Sequence, residues 1–275
     1  MGKKILTTLL LGFLFLTNAY TQSGTETFPK GSRSMGMGNA HVTLGDSWAV
    51  FNNSAGIAFL EHSQIAVGYD QRLNLQELTT FAAAMAIKSR QGAWGIGVSS
   101  FGSELFSQQQ VGLSFASKLG ITSLGLKVDY LQTSIEGGGT GRAAIVSLGG
   151  IAELTPVLLF GAHVYNLSGA GYGRFSTDKL PIIVKAGLSY RPSSALMVNL
   201  EAEKDILLPP LVKLGLEYAL AQKLYTRIGI NSEPANLFFG IGFRPKAFQL
   251  DYAMGQHAQL GYTQHLSLQL NLSKK

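Results

Sequence analysis

From Leu124 to Tyr130 the chain reads Leu-Gly-Leu-Lys-Val-Asp-Tyr. Leu124, Leu126, Val128 and Tyr130 share one parity, and Gly125, Lys127 and Asp129 the other. Successive side chains of a strand face opposite sides, so this is a strand with one apolar and one polar face. The pattern returns roughly every fifteen residues to the C-terminus, with no helical segment between copies. Such repetition predicts a sheet closed into a barrel, its apolar face toward lipid and its small and charged face toward a lumen.

Composition supports that reading. Charged residues are only 14% of the 275, and hydrophobic residues are 46%, against roughly 25% charged in an average soluble domain. Much of the surface therefore need not face water, yet no apolar run of about 18 residues follows the N-terminus, so no helical span is expected. The alternative, ordinary core residues of a soluble β protein, would leave a poorly solvated exterior. The absence of cysteine excludes disulfides, thiolate catalysis and Cys-ligated metal. Lys3 and Lys4, the apolar run Ile5 to Leu16 and Thr17-Asn18-Ala19 read as a secretory signal cut after Ala19, the rival being an uncleaved anchor. Removal of two lysines takes the net charge from +6 to +4, and no Lys/Arg cluster points to nucleic acid.

Fourteen strands are expected: Ile65–Tyr69, Thr79–Ile87, Ala93–Phe101, Gln109–Ala116, Leu124–Leu131, Ala143–Ala152, Val157–Asn166, Ile182–Arg191, Leu196–Asp205, Leu211–Ala219, Leu224–Asn231, Leu237–Arg244, Phe248–Gly255 and His265–Leu272. Tight links such as Lys88–Gly92, Glu153–Pro156 and Arg244–Lys246 alternate with longer ones such as Gly102–Gln108, Gln132–Gly141, Leu167–Pro181 and Gln256–Gln264. An outer-membrane barrel alternates in this way, with short periplasmic turns and longer outer loops, and both termini then lie in the periplasm. Tyr130, Tyr190, Tyr218 and Phe243 sit at strand ends on the outward parity, where interfacial girdles place aromatic rings.

The opposite parity carries Lys127, Asp129, Lys185, Glu201, Glu203, Lys213, Glu217, Arg227 and Asp251. These read either as a polar pathway or as a lumen filled by ion pairs, since buried charges need partners. Carboxylates two apart on one strand face are what a polar lumen produces, so no catalytic pair is assigned. The five histidines lack ligand spacing, so neither a metal nor another cofactor is expected. No nucleophile elbow is present. The apolar link Ile206-Leu207-Leu208-Pro209-Pro210 suits contact with a partner, a hydrophobic ligand or the membrane interface.

Residues 31–60 differ from the rest: a Gly-rich start, mixed periodicity over Ala40–Phe51 and a turn-rich exit. They read as a compact, partly helical segment packed in or under the barrel. Without a Lys-Ser/Thr ending, the Gly-rich part is no phosphate loop. The pattern Arg33-x-x-Gly36-Met37-Gly38-Asn39-Ala40, then Asp46 and Trp48-Ala49, then Asn53-Ser54-Ala55-Gly56-Ile57-Ala58, resembles the opening of the long-chain fatty acid transporter (FadL-like) superfamily of outer-membrane barrels, and within it the PorV/PorQ branch associated with type IX secretion. Ser54 and Ile57 stand where the family has Pro and Leu. The resemblance implies a fourteen-stranded barrel of residues 61–275, preceded by a 20–60 tail and hatch that includes Arg33, Gly36, Gly38, Asn39, Asp46, Trp48, Asn53 and Gly56. It implies a non-enzymatic protein that binds a secretion channel or secreted cargo or, alternatively, passes small hydrophobic molecules such as fatty acids. A lateral gap or kinked strand at Gly95, Gly97 or Gly112 would favour passage, and a closed, plugged barrel would favour binding.

Overall fold

A computed structural model describes residues 29–173, 180–206, 208–232, 235–257 and 260–272. The signal segment, part of the Leu167–Pro181 link and Leu207 lie outside the described residues. The fold is a closed antiparallel barrel of fourteen strands, each paired with its neighbours in sequence and β1 with β14. The strands are β1 Ser63–Gln71, β2 Thr79–Lys88, β3 Ala93–Gly102, β4 Phe106–Leu119, β5 Thr122–Ile135, β6 Gly139–Thr155, β7 Leu158–Tyr165, β8 Ile183–Tyr190, β9 Leu196–Asp205, β10 Leu211–Ala221, β11 Leu224–Ser232, β12 Ala235–Phe243, β13 Phe248–His257 and β14 Gly261–Leu272. Closure leaves no unpaired sheet edge, which backbone in hydrocarbon requires. Among the described residues no helix is long and apolar enough to cross a membrane.

The alternation sorts the side chains. Val67, Phe81, Leu113, Leu126, Leu200 and Leu266 are exposed on the outer wall, while Ala66, Ala82, Ser114, Lys127, Glu201 and Ser267 are buried inside. Aromatic pairs mark the outer wall toward its rims: Trp94 with Phe115 (ring centroids 4.7 Å apart) and Tyr69 with Phe81 (5.0 Å).

Several strands are longer than the alternation alone suggests, β1, β4, β5, β6 and β14 by four residues or more. The segments read as links at Gly102–Gln108, Gln132–Gly141 and Gln256–Gln264 are largely ladder, leaving turns of a few residues. Ser107, Gln132, Thr133, Ser134 and Arg142 are polar on both parities, so the apolar signal stops at the edge of the apolar belt while backbone pairing continues.

The near end of the barrel is the one where β1 starts and β14 finishes; the first described residues, Pro29 and Lys30, lie inside the lumen toward the other end, beside Asn52 and Tyr165. Residues 31–60 then run inside the barrel as helix α1 (Ser32–Gly36), helix α2 (Ala49–Asn52) and a 3₁₀ stretch over Ser54–Phe59. This inner segment is buried over most of its length.

Candidate functional site: the barrel lumen and its inner segment

The inner segment meets the wall in two ways. Its first half is bonded by charge. The Arg33 guanidinium grips Glu217 of β10 in two places, Nε to Oε2 at 2.9 Å and Nη2 to Oε1 at 2.7 Å. Its Nη1 also lies 3.3 Å from Asp46 of the same segment. Glu217 accepts in turn from Arg227 Nε at 2.6 Å, and Arg227 Nη1 donates to Asp251 at 2.8 Å. Nearby, Glu201 Oε2 accepts the backbone N–H groups of His41 and Val42, both at 2.7 Å, while Lys213 donates to Oε1 at 3.0 Å. Lys213 also contacts Glu203, whose carboxylate lies 3.3 Å from Lys185.

The nine lumen-parity residues therefore fall into three groups inside the barrel. Glu217, Arg227 and Asp251 meet Arg33. Lys185, Glu201, Glu203 and Lys213 surround His41. Lys127 and Asp129 pair along their own strand at 2.9 Å, and Lys127 Nζ lies 5.0 Å from the Phe51 ring centroid.

Burial and neighbours shift the inner segment's titratable groups. Burial opposes the charge on Arg33, but Glu217 outweighs it and raises its pKa. Burial, reinforced by Lys185, holds His41 well below the ordinary imidazole value. Burial raises the pKa of Asp46 against the pull of Arg33.

The second half, residues 48–60, is seated by shape. Trp48, Ala49, Val50, Ile57 and Leu60 pack on an alanine wall made by Ala66, Ala82, Ala84, Ala86, Ala93 and Ala116. Asn53 stitches the halves together: its Nδ2 donates to Val42 O at 2.7 Å and to Ala162 O of β7 at 3.3 Å. Its Oδ1 accepts from Ala55 N at 3.2 Å.

Other motif residues are placed by close approach. A Cβ on Gly229 would lie 2.0 Å from Gly38 N, and one on Gly149 would lie 1.9 Å from Asn53 Oδ1. Lumen-facing glycines thus form the track on which the segment's backbone rests. Gly36 approaches Gly240, Gly56 meets Leu44 and Ala49, and Trp48 lies across Gly68. Asn39 takes a left-handed conformation at φ 64°.

Reading parity alone missed Asn199, which donates to Ala40 O at 2.9 Å, Ser123, which donates to Ala55 O at 2.7 Å, and the glycine track. The only sequence signal for the track is the number of glycines at lumen parity.

Gly95, Gly97 and Gly112 sit in an unbroken wall. β3 keeps continuous register with β2 and β4, and the space inside these glycines is taken by Val50 and Ile57, by Phe51, and by Asp129 with Lys127. The ladder is irregular at Glu153/Thr155 and at Ala219/Ala221, both next to near-end turns.

Beyond the inner segment, toward the far end, a cavity of about 30 Å³ lies between Lys30, Asn52, Gln110, His163, Tyr165 and Lys185, room for about one water. Above it the lumen turns apolar. Leu131, Ala143, Ile145 and Leu180 pack together with Tyr165, Ala170 and Tyr172. Leu180, Ala170 and Tyr172, from the described parts of the β7–β8 connection, reach this cluster. Asn166 organises it, accepting from Ala170 N at 2.8 Å and donating to Leu180 O at 3.3 Å, and the Tyr172 and Thr133 hydroxyls lie 2.6 Å apart.

No protein-family model matches the chain, and no curated protein matches it in sequence. Solved structures do match in fold. The monoaromatic hydrocarbon channel CymD aligns with TM-score 0.70 at 14% identity, over 90% of this chain and 99% of its own. The toluene transporter TodX of P. putida aligns at 0.65 and 13%, over 91% and 100%. A FadL homologue of Pseudomonas aeruginosa aligns at 0.61 and 12%, over 89% and 98%. The chain shares the barrel fold of these three proteins.

Proposed function

We propose that this chain is a non-enzymatic outer-membrane barrel that admits small apolar molecules at its far end, with residues 31–60 as the hatch that closes the lumen. The observation that carries this reading is a packed apolar cluster toward the far end of the lumen. Leu131, Ile145 and Leu180, with the rings of Tyr165 and Tyr172, face inward where a polar lumen would hold charge. The cluster is filled by its own side chains, so a small ring or short acyl chain would displace Tyr172 and Leu180 of the β7–β8 connection to gain there the apolar contact it lacks in water. The fold shared with barrels described as hydrocarbon and toluene carriers supports the same reading. In this reading the near end, with its short turns, faces the periplasm, and the outer wall faces lipid. The charged groups of the lumen hold the hatch in place; they do not line an open path.

The test is toluene entry into cells that make the protein. Wild type is expected to speed entry, and Ile145→Asp, which charges the cluster, is expected to abolish the gain; equal entry with the two proteins sinks the reading. Deleting residues 31–60 is expected to raise single-channel conductance in planar bilayers, and unchanged conductance would remove the hatch assignment.

A second reading has its own support. The wall is unbroken at Gly95, Gly97 and Gly112, and the opening motif resembles the PorV/PorQ branch; on this reading the closed barrel is a binding module for a secretion channel or secreted cargo. Purification of the tagged protein from its native membrane, with mass spectrometry of proteins and lipids together, separates the two: a co-purifying secretion channel favours the second, bound apolar molecules the first.

A further inference from the structure

The lipid-facing wall of β1–β3 carries a groove of about 320 Å³ near the far rim, within the roughly 300–1,000 Å³ range of small-molecule sites. Register explains its shape. Tyr69, Phe81 and Ser100 stand side by side on the outward face, and Gln71 stands beside Thr79 one step farther out. Small Ser100 and Gly102 leave a hollow beside the Tyr69–Phe81 ring pair, and Gln76 from the β1–β2 connection borders it. Toward the near end the same outward rows are apolar, with Ile65 and Val67, Met85 and Ile87, Ile96 and Val98. The groove therefore begins where the apolar belt ends, at the depth of lipid headgroups.

Its chemistry is selective. None of its lining side chains is an acid or a strong base, so a phosphate or an ammonium group would find no counter-charge. Arg72, next along the chain, lies over the Phe101 ring at 5.4 Å, and Phe101 alternates to the face opposite Ser100. What the groove offers is an aromatic wall, whose electron-rich faces suit C–H groups, together with amide and hydroxyl groups that both donate and accept. A pyranose ring presents that combination: a C–H face and a rim of hydroxyls.

We propose that this groove binds the sugar headgroup of a glycolipid in the outer leaflet. The proposal rests on the membrane reading above and is independent of what, if anything, passes through the lumen.

The test uses the purified full-length barrel and native mass spectrometry, titrated with diglucosyl diacylglycerol or with phosphatidylglycerol of the same acyl chains. The neutral glycolipid is expected to be held at least tenfold more tightly. Ser100→Phe, which fills the hollow, and Tyr69→Ala, which removes one wall, are expected to lose that preference while keeping heat-modifiable migration on gels. Equal retention of the two lipids by wild type overturns the groove assignment, as does an unchanged preference in both variants. Wild type that migrates identically boiled and unboiled would overturn the membrane reading, and the groove with it, whatever the toluene result.

Discussion

The two halves of the inner segment are held by opposite means. Residues 31–46 are seated mainly on β9–β13, where carboxylates and guanidinium groups in fixed geometry hold them, whereas Trp48, Ala49, Val50, Ile57 and Leu60 lie against the alanines of β1–β4, with Asn53 to Ala55 resting on β5–β7. The charged seat is directional: Arg33 must find both oxygens of Glu217, and the His41 and Val42 amides must find Glu201. The alanine seat is not directional; it asks only for close-packed volume. Removing one charged partner strands another in a buried site, whereas altering an alanine disturbs local packing. The charged half is thus the half that a change in protonation or a competing ion can release, and the alanine half is where the segment stays anchored.

The sharpest way to break this contrast is Glu217→Ala, which leaves Arg33 and Arg227 without their shared carboxylate. A loss of about 3–5 kcal/mol is expected, read as earlier unfolding on heat-modifiable gels; wild-type stability would show that the charges are incidental. Glu201→Gln keeps the shape but removes the charge that accepts two backbone amides, and about 1.5–3 kcal/mol is expected to go, with hydrogen exchange at His41 and Val42 rising while exchange at Ala55 does not. On the other seat, Ala84→Leu is expected to cost about 1–3 kcal/mol by overpacking and to leave exchange at His41 unchanged; a matching rise there would merge the two seats into one.

The smallest effect concerns pH. His41 has a folded pKa below its unfolded value of about 6.5. Below that pH the unfolded chain takes up a proton that the folded one does not, so stability falls as pH drops, by at most about 1.4 kcal/mol per unit. Asp46, with its folded pKa raised, contributes the opposite slope above about pH 3.9. His41→Asn is expected to flatten the loss between pH 6.5 and 5; an unchanged slope in urea melts would assign it to other groups.

Much of the barrel is legible without coordinates because a strand writes its two faces into alternate residues. Val128 and Lys127 differ by one position and end on opposite sides of the wall. The count of fourteen strands follows from that alternation and from the turns, and the structure has the same fourteen. What alternation could not supply was how far β4, β5 and β6 continue, because past the apolar belt neither face carries a hydrophobic signal. It also offered no sign that Leu131 and Ile145 form an apolar nest inside the lumen, since parity alone does not reveal what the β7–β8 connection packs against.

The sequence by itself determined the class of fold, the parity of each strand and the distinct character of residues 31–60, because each is a local pattern of neighbours along the chain. Only the tertiary structure decided that Arg33 meets Glu217 across 184 positions, that Gly229 lies under Gly38, and that Glu201 receives the amides of His41 and Val42. Those pairings depend on barrel closure and strand register, which bring distant residues to one level of the lumen, and no local pattern encodes that level.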